Sequence, residues 1–155
     1  MQETRLGRVF IYRGQPDSRK DPRGNAACRR QVTAWETEGN AQVEVCTRPL
    51  HYRADGVVTE KGIDVQLAID CIRTALSKEY EMVAIFSGDS DLAPAAEFIF
   101  DQYQATNVRV NLVAWHNGPQ INLTGGRNVY HHRLRQTDYT TVRDDRDYAR
   151  SRVSR

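Results

Sequence analysis

Five residues, Ser87-Gly88-Asp89-Ser90-Asp91, hold the densest chemistry in the chain, with Gly88 expected to permit a sharp turn. Two carboxylates two positions apart repel each other when both are ionised, so a cation between them relieves the repulsion. Oxygen donors of this kind suit a hard divalent ion, Mg2+ or Mn2+. The competing structural use is ordinary: an Asp ahead of an apolar run caps the helix that follows. For a lone Asp the cap is the better reading. For a pair flanked by Ser87 and Ser90 the metal or catalytic reading is the better one, and one residue can serve both ends.

A second acidic position is Asp64, in Lys61-Gly62-Ile63-Asp64. An Asp in a first helical turn is favoured by the helix dipole, which alone accounts for it. The helix it opens leads into the strand that precedes Ser87, however, so Asp64 is a candidate to join Asp89 and Asp91. Asp70 lies about 120° around the same helix, at ~100° per residue, so it cannot share one ion with Asp64 directly and is expected to support or to be structural.

The elements that must carry these residues follow from periodicity. Arg8 to Tyr12 is a short β-branched and aromatic run, stopped by Gly14 and Pro16, and predicts a strand. Asn25 to Glu38 predicts a helix ending at Gly39-Asn40, Gln42 to Thr47 a second strand, and His51 to Thr59 a polar connection. Ile63 to Leu76 has the broad apolar face of a helix packed on a sheet. Met82 to Phe86 is an uninterrupted apolar run, the pattern of a strand buried on both faces in a parallel sheet. Leu92 to Gln102 predicts a helix with Pro94 in its first turn. Asn107 to Trp115 predicts a strand, and Val129 to Leu134 a short edge strand. Strands alternating with helices give a doubly wound α/β fold with helices on both faces of a parallel sheet. In such sheets ligands gather beyond the carboxyl ends of the strands, where Ser87 to Asp91 falls.

At 155 residues and 39% apolar content one domain is expected, over residues 1–139, with a charged flexible tail over 140–155. The net charge of +2 means that nucleic-acid affinity must come from local patches. Only Lys20, Lys61 and Lys78 are lysines among 22 basic residues, a bias that codon usage explains as well as phosphate binding does. Cys28, Cys46 and Cys71 are widely spaced and fit reduced thiols of a cytoplasmic protein. No apolar run reaches the ~18 residues of a membrane span, and the polar start is not that of a signal peptide. His51, His116, His131 and His132 are scattered, and Walker A, G-x-G-x-x-G and G-x-S-x-G patterns are missing.

The runs Glu60-Lys-Gly-Ile-Asp-Val-Gln-Leu-Ala-Ile-Asp70 and Val83-Ala-Ile-Phe-Ser-Gly-Asp-Ser-Asp-Leu92, with Arg8 to Tyr12 and Thr47 to Leu50, resemble NYN domains. These are a branch of the PIN-like ribonuclease superfamily, and the resemblance is closest to small bacterial members. It implies a PIN-like parallel sheet and metal-dependent hydrolysis of RNA phosphodiester bonds, with single-stranded RNA as the partner and Mg2+ or Mn2+ as cofactor. By position it places Asp64, Asp89 and Asp91 in the catalytic, metal-holding set, with Lys61, Ser87, Ser90 and Asp70 in support.

NYN domains open with a central strand bearing D-x-x-N, whose Asp is a metal ligand, and the strand at Arg8 to Tyr12 matches the family's second strand. The first strand is therefore expected to be missing. Three readings account for that: a start codon placed too far downstream, a truncated inactive paralogue, or a subunit completed by another chain; a homo-oligomer is a separate expectation. The corresponding functional alternative is a catalytically inactive NYN-fold module that binds RNA or protein. A phosphohydrolase using Asp89 and Asp91 is disfavoured, because such pairs usually follow the first strand of their sheet.

Overall fold

The computed structural model describes residues 5–38 and 42–150. The stop signal expected at Gly39-Asn40 lies outside them. The chain divides into two compact units, one ending at Ile63 and taken up again from Asp145, the other Asp64–Asp144.

In the first unit β1 (Val9–Gln15) pairs in parallel with β2 (Val43–Pro49) across α1 (Pro22–Glu38). Gly14 does not stop β1, as expected from sequence; it lies inside the strand and is buried. A Cβ there would run into Leu50 and come 2.6 Å from Glu60 Oε1, the oxygen that accepts a hydrogen bond from the Gly14 amide at 2.9 Å. Glycine is thus kept by close approach. The helix starts three residues before the expected Asn25, because Asp21 Oδ1 accepts from the Gly24 amide at 2.8 Å and satisfies one of the helix's first donors. The polar connection contains a small hairpin, β3 (His51–Tyr52) against β4 (Val58–Thr59), turning at Gly56 with φ +82°.

The second unit carries a well-filled core. α2 (Ile63–Ser77) opens at the unit boundary and leads to β5 (Met82–Phe86), and a 3-10 turn, Ser90–Leu92, runs into α3 (Ala93–Asp101). Pro94 sits at the start of α3, where its missing amide costs no helical hydrogen bond. A short α4 (Tyr103–Thr106) ends at Asn107 in the left-handed region, ahead of β6 (Arg109–Trp115), β7 (Tyr130–Leu134) and α5 (Gln136–Val142). Strands β5, β6 and β7 form one parallel sheet in that order. Val83, Ile85, Val110 and Leu112 pack with Ala96 and Ile99 of α3 and Ala75 of α2, and Leu67, Ala68 and Ile72 of α2 close the cluster.

One expectation is corrected. β5 is not buried on both faces: Val83 and Ile85 are buried while Ala84 and Phe86 are exposed. The strand stands at an end of its sheet, and its second face receives no comparable cover. β1 and β5 are each end strands, and no ladder joins the two sheets among the described residues. The domain boundary expected after Tyr139 falls inside α5. Beyond it, Arg30 of α1 donates to the Tyr148 carbonyl at 2.8 Å, and Arg146 pairs with Glu38.

Candidate functional site

The parallel order of β5, β6 and β7 brings Phe86, Trp115 and Leu134 to one end of the sheet, the carboxyl end. The chain leaves β5 there as Ser87-Gly88-Asp89, and three hydrogen bonds fix its path. Ser87 Oγ accepts from the Asp89 amide at 3.1 Å, Asp89 Oδ1 accepts from the Asp91 amide at 2.9 Å, and the Leu92 amide reaches the Asp89 carbonyl at 3.2 Å. Asp89 is therefore the cap of the 3-10 turn, and the structural use weighed from sequence is real. It occupies one carboxylate oxygen only. Among the described residues no protein group engages Asp89 Oδ2, and neither Asp91 nor Asp64 makes a side-chain hydrogen bond or ion pair; all three residues are exposed. Leu92, 2% exposed, anchors the turn in the core directly behind the acids.

Gly88 has a different purpose from the sharp turn expected of it. Its φ is not positive; instead a Cβ would stand 2.7 Å from both the Cγ and the carbonyl oxygen of Pro119. The loop after β6 lies against the acidic loop, and only a residue without a side chain permits that approach. Pro119 was not singled out from sequence, and no spacing rule would have found it.

Asp64 is in the first turn of α2, as expected, and belongs to the same unit as Asp89 and Asp91. Lys61 belongs to the first unit. Asp70 is committed elsewhere: Gln66 Nε2 donates to its Oδ2 at 2.9 Å and Arg73 lies 3.7 Å from its Oδ1. Its charge also acts on Cys71, whose thiol is pushed up to about 11, mainly by burial and secondarily by Asp70. Asp17 and Asp21 serve local turns, accepting from the Arg19 and Gly24 amides at 2.7 and 2.8 Å.

The donors fit a hard divalent ion in kind, being carboxylate oxygens, two of them on one turn. They do not fit it in number: no group of three or more His, Cys, Asp or Glu among the described residues is placed to hold a metal ion.

A feature missed from sequence lies beside the acids. Phe86 and Trp115 meet edge to face at 5.7 Å, and Trp115 meets Tyr139 of α5 in the same way at 6.2 Å. They line a pocket of about 540 Å³ with Leu134, Val142 and Arg143. The signal was available, since Phe86 and Trp115 each end a predicted strand. The further loop, after Pro119, is held to the outer side of α3. Glu97 accepts from the Thr124 amide at 2.6 Å and its hydroxyl at 2.8 Å, which holds the Glu97 carboxyl below its usual range, and Arg127 makes two bonds to Asp101.

No helix among the described residues is long and apolar enough to cross a membrane. No curated protein and no solved structure matches the chain. The family model described as NYN domain matches residues 10–124, which takes in β1 but for Val9, all of α2 and the whole acidic loop. With that match over most of its length, and a mixed α/β architecture of parallel strands and helices consistent with the PIN-like type, the chain belongs to the NYN domain family.

Proposed function

We propose that the chain is a metal-dependent endoribonuclease of the cytoplasm that hydrolyses phosphodiester bonds of single-stranded RNA. The carrying observation is the turn at the carboxyl end of β5, where Asp89 Oδ2 and the Asp91 carboxylate are left uncommitted by the protein. Asp89 and Asp91 would hold Mg2+ or Mn2+ as the loop pair, and Asp64, in the first turn of α2, would be a third acid that the described residues do not group with them. Ser87 fixes the loop through its bond to the Asp89 amide. Ser90 is the supporting polar group, and Asp70 has an indirect, structural part. A bound divalent ion would supply polarisation of the phosphate and a water of lowered pKa. The family membership supports this reading.

The second reading, an RNA-binding module without catalysis, is favoured by one observation: the described residues assemble no three-acid group. The two separate in a single assay. Purified chain incubated with end-labelled single-stranded RNA should give Mn2+-dependent cleavage that a chelator stops, and Asp89→Asn should remove it with the fold intact, because Asn keeps the cap and loses the charge. RNA binding without cleavage at any Mn2+ concentration would contradict the nuclease reading and establish the second.

A further inference from the structure

We infer that the aromatic pocket at the carboxyl end of the β5-β6-β7 sheet binds a nucleobase of single-stranded RNA and so sets where the backbone enters the acidic loop. The inference rests on the RNA-directed reading above and adds the surface that would recognise the substrate.

The pocket is made by four elements of one unit, with Leu134 ending β7. β5 ends in Phe86, β6 ends in Trp115, and α5 crosses the strand ends with Tyr139 on the side of Trp115. The rings stand at 62° and 76° to one another, so each contact is edge to face. They are 55%, 43% and 47% exposed. Large aromatic side chains normally bury most of their surface, and three left half-open around one cavity form an apolar patch of the kind that marks a binding site. The volume of about 540 Å³ falls within the range of small-molecule and cofactor sites.

The chemistry of the walls selects the occupant. π-faces at this density take a flat aromatic ring by stacking, and every nucleobase offers one. Arg143 and Asp144 also line the pocket, each with an interaction of its own within the protein, so the rings carry the selection. Asp138 also lines the pocket, but its carboxylate is turned to the helix's own start, accepting from the Arg135 amide at 2.7 Å. Position completes the case. Phe86 is bonded directly to Ser87, the first residue of the acidic loop, so a strand whose base enters here passes its next phosphates toward Asp89 and Asp91. A partner protein's apolar side chain would find the same rings but would have no use for the adjoining acids.

The test uses Trp115 as its own reporter. Trp35→Phe, in the other unit, leaves it the only indole. In chelator-containing buffer, where cleavage cannot occur, short oligoadenylate should quench Trp115 emission, and an abasic ribose-phosphate oligomer of equal length should not. Tyr139→Ala should weaken oligoadenylate binding about tenfold, as loss of one stacking ring does, while leaving abasic binding unchanged. Tyr139→Phe should restore it, and Thr140→Ala, which alters α5 outside the pocket lining, should keep it. Oligoadenylate binding with neither quenching nor sensitivity at Tyr139 would overturn the pocket's role and leave the nuclease reading standing. Absence of binding by either oligomer would overturn both. Quenching by a leucine-rich amphipathic peptide and not by RNA would assign the pocket to a protein partner and overturn the inference.

Discussion

The two parallel sheets are built from similar strands and acquire different interiors. In β1 and β2 no apolar side chain is fully buried, although the strands read Val-Phe-Ile-Tyr and Val-Glu-Val-Cys. In β5 and β6, Val83, Ile85, Val110, Leu112 and Ala114 all are. The helices explain the contrast. α3 offers Ala95, Ala96 and Ile99 at contact positions, small or branched residues that let it approach the sheet closely. α1 is rich in polar side chains and buries only Cys28. The first unit carries polar contacts such as Arg8 with Glu44 at 2.8 Å and the Gly14 amide with Glu60. The acidic loop and the aromatic pocket both sit on the better-filled sheet, where a rigid support keeps their geometry.

The sharpest way to break this comparison is the same truncation in both sheets. Ile85→Ala should cost about 3 kcal/mol, within the range for a buried branched residue. Ile11→Ala, on a half-buried strand, should cost about 1 kcal/mol, because less surface leaves water there. Urea denaturation measures both, and equal losses would show that the interiors are equivalent.

Cys71 of α2 gives a pH signature of the second unit. Its folded value of about 11 lies above the ordinary 9.0, so the neutral thiol is favoured by folding. That stabilisation is complete below about pH 9 and is lost as pH rises through about 11. It amounts to on the order of 2 kcal/mol. Thermal midpoints of the wild type and Cys71→Ala should converge across that window, and parallel curves would contradict the burial that raises the thiol.

Smaller effects are expected in the loop. Gly88→Ala should cost roughly 1–2 kcal/mol, since a methyl 2.7 Å from Pro119 forces one of two packed loops to move. Asp89→Ala should cost about 1 kcal/mol through the lost cap, and Asp89→Asn almost nothing. A large loss for Asp89→Asn would mean that its charge, and not its hydrogen bond, holds the loop.

Much of this was legible in the sequence. The α2 helix, the Met82 to Phe86 run as a strand, Pro94 in the first turn of α3 and the position of Ser87 to Asp91 beyond a strand end all follow from local pattern, and the structure has them, although Val65, Ile69 and Leu76 of the expected α2 face are exposed. What periodicity could not show is set by tertiary contact. The cover over β5 depends on which helix packs where, and an apolar run looks the same with one buried face or two. Gly88 looked like a turn residue because its reason, Pro119, is thirty-one positions away. Tyr139 looked like the last residue before a tail, whereas α5 carries it to Trp115.

The central claim is that the uncommitted carboxylates of the β5 loop form the metal-dependent site, and paramagnetic Mn2+ reports on it directly. In a two-dimensional amide spectrum, substoichiometric Mn2+ should broaden the signals of Gly88, Asp89, Ser90 and Asp91 first, then that of Asp64, with Asp89→Asn abolishing the effect. Broadening centred on Asp17 and Asp21 of the first unit, or unchanged by Asp89→Asn, would contradict it.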